Sequence, residues 1–220
     1  MADGIKSAVY CQLIPLQEMT PGAVGAIRNQ VVSALVFLVS QELNMAPDKL
    51  VCRDVRPASD LAMYAGGTTT STVDEWLYDA TTTTANAFTA VSAAATMGDQ
   101  RYVALFGVRD IRGRVGVHST AMGVALIDTG GGTDYTARPL PAAVVSFIQL
   151  QVGGANKVIW DVNSIESYDT PVGFSPSPVV IKQNVSYQIQ YLFNTTIAGL
   201  RTWLQLIGIV CEPRGRTITP

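Results

Sequence analysis

Apolar and polar residues alternate through the last third of the chain, where short apolar runs are separated by Gly and Pro turns. The alternation is clearest over residues 186–191, in which Tyr187, Ile189 and Tyr191 occupy every second position. A period of two places these three side chains on one face of a β-strand. Residues 157–214 therefore form the sheet-forming stretch around which we expect the fold to be organised.

Several further β-strands are predicted before this stretch. The apolar runs that indicate them cover residues 50–56, 101–108 and 144–152, with one or two more strands over residues 116–127. Glycine-rich turns are predicted at residues 130–132 and 153–154. Many short strands divided by such turns predict a mainly β protein built as a β-sandwich.

A tract rich in Thr and Ala interrupts the succession of strands. Residues 65–96 contain mostly Thr, Ala, Ser and Gly, with four consecutive threonines at 81–84. Such sequence has few large apolar side chains to bury, so it predicts a long surface loop or a weak edge strand. Trp76, Leu77 and Tyr78 are expected to anchor it.

One segment near the N-terminus follows helical rather than strand spacing. Thr20 and Pro21 predict its start, and Asn44 and Pro47 predict its end. Its β-branched residues leave a buried strand as the alternative. We favour a helix that packs on the sheet or on a neighbouring subunit. The apolar positions at helical spacing, which form the predicted interface, are Val24, Ile27, Val31, Leu35 and Leu38.

The chain is apolar and poor in charge. Charged residues make up 15% of the sequence and the formal net charge is −2, against a usual charged fraction of about 25%. A surface this apolar predicts subunit contacts, and the charge argues against nucleic-acid binding over the whole surface. The one basic cluster is a possible contact patch for nucleic acid or an acidic partner, with a solvated hairpin tip as the alternative, and consists of Arg109, Arg112 and Arg114.

Three further features bear on compartment and membrane. Cys11, Cys52 and Cys211 lie far apart without a C-x-x-C spacing, so they predict buried free thiols rather than disulfides or a zinc site. Residues 1–10 lack a basic start followed by an apolar core, which indicates synthesis and folding in the cytoplasm. The apolar core of the predicted helix is shorter than the roughly 18 residues of a membrane span.

Candidate chemistry is sparse, and no metal site, cofactor or catalytic set is predicted. His118 is the single histidine, so neither a histidine-based metal site nor a Ser-His-Asp triad has partners to name. Two groups of carboxylates are candidates for acid/base pairs or calcium ligands, but neither has EF-hand spacing. They are Asp74, Glu75 and Asp79, and Asp161, Glu166 and Asp169.

Residues 125–130, with the sequence ALIDTG, resemble the hydrophobic-Asp-Thr-Gly motif of retroviral-type aspartic proteases. The resemblance implies that Asp128 supplies one of two carboxylates, the second coming from a dimer partner, and that residues 206–208 lie beneath the loop. Gly131 and Gly132 depart from the family, which has Ala or Ser after the motif. An ordinary turn at a strand end is the alternative explanation.

The succession KVIWDV, TPVGFSPSPVVI, SYQIQYLF and LQLIGIVCEPRG in the last third resembles single jelly-roll or β-sandwich capsid and capsid-associated proteins of bacterial and archaeal viruses. The resemblance implies a jelly-roll-like sandwich over residues 49–211, preceded by an arm and helix (1–48) and followed by a tail (212–220). It also implies a non-enzymatic virion protein that forms a trimer or higher oligomer and contacts other virion proteins. A carbohydrate- or receptor-binding sandwich that uses Trp160, Tyr168 and Phe174 is the alternative.

Overall fold

The computed structural model describes residues 9–63, 76, 78–82, 84–110, 124–128, 135–139, 145–165, 168, 171–193, 198–202 and 204–215. The protein is mainly β with one long helix near the N-terminus. Its α-helices are α1 (Ala23–Leu43) and α2 (Pro57–Leu61), and short 3-10 helices cover Leu16–Glu18, Pro47–Lys49 and Asn163–Ile165. Its strands are β1 (Val9–Gln12), β2 (Ile14–Pro15), β3 (Leu50–Asp54), β4 (Tyr78–Thr82), β5 (Phe88–Ala90), β6 (Ala95–Thr96), β7 (Tyr102–Asp110), β8 (Val124–Asp128), β9 (Tyr135–Pro139), β10 (Val145–Val152), β11 (Ala155–Asp161), β12 (Val172–Ile181), β13 (Ser186–Phe193), β14 (Ala198–Thr202) and β15 (Leu204–Pro213).

The strands form three sheets in the described part of the chain. The first has the order β1-β11-β10-β13-β5, with β6 also pairing β13. The second has the order β2-β12-β7-β15-β3, and a smaller third sheet has the order β4-β14-β8-β9. Within the first two sheets only the β1–β11 pair is parallel, so these sheets are built almost wholly from antiparallel contacts.

Eight strands of the first two sheets pair in a nested order. β3 pairs with β15, β5 with β13, β7 with β12, and β10 with β11, in every case antiparallel. When these eight strands alone are counted in chain order, the pairs join the first to the eighth, the second to the seventh, the third to the sixth and the fourth to the fifth. The four pairs together therefore follow the path of one long, folded-over hairpin.

A continuous hydrophobic core joins the first two sheets. Ile148, Trp160 and Tyr191 enter it from the first sheet, and Leu105 and Leu206 enter it from the second. On β13 every second residue is buried, as the alternation in the sequence predicts. Burial of one face of each sheet removes apolar area from water, which is the main favourable term in folding.

The glycine-rich turn predicted at residues 153–154 is confirmed, because it joins β10 to β11. Gly153 and Gly154 have φ angles of 64° and 72°. Two successive residues with positive φ are what a type I′ hairpin turn requires, and glycine adopts that conformation without steric cost.

The N-terminal apolar segment forms the helix α1. The prediction of a helix is therefore confirmed, and the alternative of a buried strand is wrong. The predicted start of the helix was wrong by two residues: Gly22, with φ 86°, precedes the first helical residue and makes no side-chain cap bond. The Ala23 backbone N–H donates to the Thr20 carbonyl instead, at 3.0 Å. The predicted end is confirmed, because Asn44 adopts the left-handed conformation after Leu43.

The Thr/Ala-rich tract supplies short strands to the first sheet. β5 and β6 both pair with β13 at its edge, and Trp76 is buried in the core as the expected anchor. The run predicted as a strand over residues 50–56 ends earlier, because Pro57 begins α2. Residues 116–123 and 130–132 lie outside the described part of the chain.

Candidate functional site

Helix α1 lies across the second sheet and closes a second hydrophobic core. Val31, Leu35 and Val39 on its inner face are buried, and they belong to one cluster with Phe106 of β7 and Ile209 of β15. Other side chains of β7 and β15 enter the core between the two sheets. The second sheet is therefore covered on both faces, and α1 forms a third layer.

The five apolar residues predicted as an interface all pack in this second core. Val31 and Leu35 are buried in it, and Val24, Ile27 and Leu38 are half-buried against it. The chain's own second sheet therefore covers this side of α1. Contact of these residues with a neighbouring subunit stays a prediction, and Val31 and Leu35 have little surface left for it.

The outer face of α1 carries a large apolar side chain that the sequence analysis did not single out. Phe37 is 67% exposed, and it lies among residues that are apolar or uncharged. Arg28 and Glu42 are the charged residues of the helix. Arg28 pairs with Asp54 at 3.0 Å, and Glu42 pairs with Lys182. Both charges of α1 therefore have partners within the chain.

A small hollow lies beside the same helix. Strand β12 shifts register between Phe174 and Val179, and the residues 175–178 between them, SPSP, form what we call the proline bulge. The hollow between α1 and this bulge has a volume of about 180 Å³. Gln30 and Ala34 line it from the helix, and Pro176 and Pro178 line it from the bulge. Its walls are mainly apolar.

A larger groove of about 510 Å³ lies along the proline bulge and β1. It is lined in part by Val9 and Tyr10, which are 66% and 59% exposed, and by Lys157. The Tyr10 hydroxyl donates a hydrogen bond to Asp161, and this bond is the first cause that raises the pKa of Tyr10. With Val9 and Tyr10 exposed along it, the groove presents apolar side chains beside β1, which is the edge strand of the first sheet.

A cluster of two buried carboxylates and two half-buried arginines joins elements that are distant in the sequence. Arg53 donates two hydrogen bonds to Asp60, at 2.6 and 2.7 Å, and one to Glu212 at 3.3 Å. Arg101 donates to Glu212 at 3.1 Å and lies 3.5 Å from Asp60. The Asp60 side chain is fully buried. Because the positive and negative charges match in number and contact one another, the cluster fits a role in holding β3, α2, β7 and β15 together.

A second polar group fixes α1 to the sheet beneath it. The Tyr102 hydroxyl donates to the Glu42 carboxylate at 3.0 Å, and Lys182 binds the same carboxylate. The pKa of Tyr102 is raised to about 12, firstly by burial and secondly by the hydrogen bond to Glu42. The hydrogen bond from Lys182 is the first cause that lowers the pKa of Glu42. Near neutral pH the Tyr102 hydroxyl therefore keeps its proton and the Glu42 carboxylate stays ionised, so this pair has no proton ready to transfer.

The cysteines are free thiols within the described part of the chain. Cys211 is buried, whereas Cys11 and Cys52 are half-buried, so full burial is confirmed for Cys211 alone. Cys52 and Cys211 lie directly opposite each other on β3 and β15. Their mutual hydrogen bond is the first cause that lowers the pKa of Cys52 and raises that of Cys211.

The aromatic residues considered for sugar binding are mostly enclosed. Trp160 and Phe174 are buried, at 0% and 3% exposure, so neither presents a ring face at the surface. Tyr168 is half-buried and donates a hydrogen bond to Glu18. The structure therefore does not bring these three rings together on one exposed face.

The remaining candidate residues are scattered or lie outside the described part of the chain. Arg109 is exposed at the end of β7, whereas Arg112 and Arg114 are outside that part, so the basic patch stays a prediction. Asp128 ends β8, and Thr129 and Gly130 of the protease motif are not described. Also outside the described residues are His118, Asp74, Glu75, Glu166 and Asp169.

No group of three or more metal-ligating side chains is present among the described residues. Helix α1 is long and apolar enough to cross a membrane by length and composition, although a helix in the core of a soluble protein can satisfy the same test. Here one face of α1 is seated on the second sheet. No protein-family model, curated protein or solved structure matches the chain.

Proposed function

We propose that this chain is a structural subunit of a virus particle, a capsid, decorating or appendage protein that acts by self-assembly. The observation that carries the proposal is the nested pairing of β3 with β15, β5 with β13, β7 with β12, and β10 with β11. A two-sheet arrangement of eight strands that follows one folded-over hairpin is the plan of a jelly roll. Viral capsid proteins use this architecture, as do lectins and cupins.

The step from architecture to function is an analogy, because one fold serves many functions. The surface of the chain gives independent support for assembly. Exposed large apolar side chains occur on five separate elements of the described part. They are Val9 and Tyr10 on β1, Ile14 on β2, Phe37 on α1, Val51 on β3 and Phe88 on β5. Together with the low charge of the sequence, such side chains favour burial against other subunits. The particle itself is the proposed location, and the partners are copies of this chain and other virion proteins.

Mass photometry of the purified protein across a concentration series tests the proposal, followed by negative-stain imaging of the species that form. We expect a trimer or a larger closed assembly, because copies of one chain usually associate with closed symmetry. Discrete shells, rings or tubes in the images would identify the type of particle component. A protein that stays monomeric at every concentration would contradict the proposed function.

A further inference from the structure

The outward side of α1 is free of charge along its whole length. Its exposed residues include Ala26, Asn29, Gln30, Ser33, Ala34 and Phe37. At 100° per residue these positions fall on the side opposite Leu35, which is buried against the sheet. A surface without charges can meet an identical surface without repulsion between like charges. Its small residues also allow two helices to approach closely.

A projection and a hollow lie on adjoining sides of α1. Phe37 projects with 67% of its surface exposed. The hollow of about 180 Å³ lies on the flank of α1 that faces the proline bulge, and it is lined from the helix by the exposed Gln30 and Ala34 and, toward the sheet, by Ile27 and Val31. A cavity of about 150 Å³ is large enough to hold a benzene ring, so a phenyl side chain fits the hollow by size. Gln30 lies seven residues before Phe37, which is about 10 Å along the helix on nearly the same line.

We infer that the outer face of α1 binds the outer face of α1 in a second copy of this chain, with Phe37 of each copy seated in the hollow of the other. A two-fold contact requires that each partner offer both halves of every complementary pair. If two α1 helices run antiparallel and cross between Ser33 and Ala34, Phe37 of one copy falls beside Gln30 of the other. The projection and the hollow are equally distant from that crossing point.

This contact deepens the proposed function and rests on it, because it names one of the surfaces through which the subunits would assemble. It places most of the contact on the face of α1 opposite the residues predicted from the sequence, although two of those residues, Ile27 and Val31, line the hollow. The inner residues hold the helix on its own sheet, and the outer residues join the copies. The proline bulge then has a role, since Pro176 and Pro178 form the far wall of the hollow.

The first test compares wild type with Phe37→Glu and Phe37→Leu by size-exclusion chromatography with light scattering over a range of concentrations. Phe37→Glu should raise the dissociation constant of the two-fold contact by about 30-fold or more, as loss of a central aromatic anchor does. Phe37→Leu keeps an apolar side chain and should assemble much more like wild type. Circular dichroism should show that both variants fold, because Phe37 belongs to neither hydrophobic core.

The outcomes separate this inference from the proposed function. A wild type that oligomerises equally well with Phe37→Glu overturns the α1 contact and leaves the assembly function standing. A wild type that is monomeric throughout overturns both. A wild type that stays monomeric but floats with vesicles of phosphatidylcholine and phosphatidylglycerol, when Phe37→Glu does not, would show that the face binds a membrane instead of a second copy.

A second test locates the crossing point of the two helices. Ser33→Cys places a thiol next to the proposed two-fold axis, so mild oxidation should give a disulfide-linked dimer. Ala26→Cys lies on the same exposed face but about 20 Å from its counterpart in the antiparallel pair, so it should not cross-link. Wild type treated in the same way gives the background from the native cysteines. Cross-linking through Ala26→Cys and not through Ser33→Cys would overturn the antiparallel geometry.

Discussion

At the scale of single residues, the Asp60 side chain is held by several charged and polar partners at once. Its fully buried carboxylate accepts two hydrogen bonds from Arg53 and one from the Arg56 backbone N–H, at 2.8 Å. Arg101 lies 3.5 Å away. The sequence could not reveal this cluster, because it also needs Glu212, which is more than 150 positions from Asp60. Only the pairing of β3 with β15 brings them together.

We predict that Asp60→Ala lowers the free energy of unfolding by about 3–5 kcal/mol, because it leaves the largely buried Arg53 guanidinium without its main partner. Urea denaturation measures the change. Asp54→Ala is the matched control, since the Arg28–Asp54 pair has exposed fractions of 49% and 78%, and such a pair contributes about 0–1 kcal/mol. Equal losses in the two variants would contradict the structural role of the buried cluster.

The pKa values of two buried tyrosines predict how stability changes at high pH. Burial is the first cause that raises the pKa of Tyr102 and of Tyr187 to about 12, against about 10 in an unfolded chain. Between these pH values the unfolded chain loses the phenolic protons that the folded chain keeps. Unfolding therefore releases protons, and the free energy of unfolding falls as the pH rises.

This stabilisation should be complete below about pH 10 and lost as the pH rises through about 12. The urea midpoint of wild type should therefore fall more steeply over this interval than that of the Tyr102→Phe/Tyr187→Phe double variant. Each protein is compared with its own value at pH 7, because the variant also loses the hydrogen bonds of both hydroxyls. Parallel curves for the two proteins would contradict the raised pKa values.

At the scale of elements, the local sequence pattern predicted the type of each element better than it predicted which other elements it contacts. The alternation around Tyr187, Ile189 and Tyr191 and the glycine pair after β10 gave correct predictions, because each reflects a backbone geometry that a few residues determine. Helix α1 was harder, since it has only two charged residues and its large apolar residues are not confined to one side. Its spacing identified the helix and the side that packs on the sheet, but Phe37 on the other side had no distinguishing signal in an apolar sequence.

The proline bulge shows why the hollow beside α1 could not be predicted. The SPSP sequence indicates a break in β12, but not which element the break faces. Its position next to Ala34 depends on the seating of α1 over β7 and β15, which follows from the second core. The candidate assembly surface is thus a product of tertiary packing, and its parts lie more than 100 positions apart.

At the scale of the whole molecule, the nested pairing makes the fold depend on distant contacts. β3 and β15 are joined although more than 150 residues separate their starts. Antiparallel partners this far apart carry a large loop-closure entropy, so folds of this kind form slowly compared with helical proteins. The same pairing reaches close to the C-terminal end of the described chain, because β15 continues through Glu212 to Pro213, two residues into the segment predicted as a tail.

The extent of β15 yields a truncation prediction. Removal of residues 216–220 leaves the Glu212 contacts and the pairing of Pro213 with Leu50 intact, so the fold should keep its thermal midpoint. Removal of residues 212–220 also deletes the carboxylate that binds Arg53 and Arg101, and should cost about 3–5 kcal/mol of unfolding free energy. The short truncation alone therefore tests the tail as an assembly arm: weaker assembly by light scattering with an unchanged midpoint supports that role, whereas assembly equal to that of the full chain contradicts it.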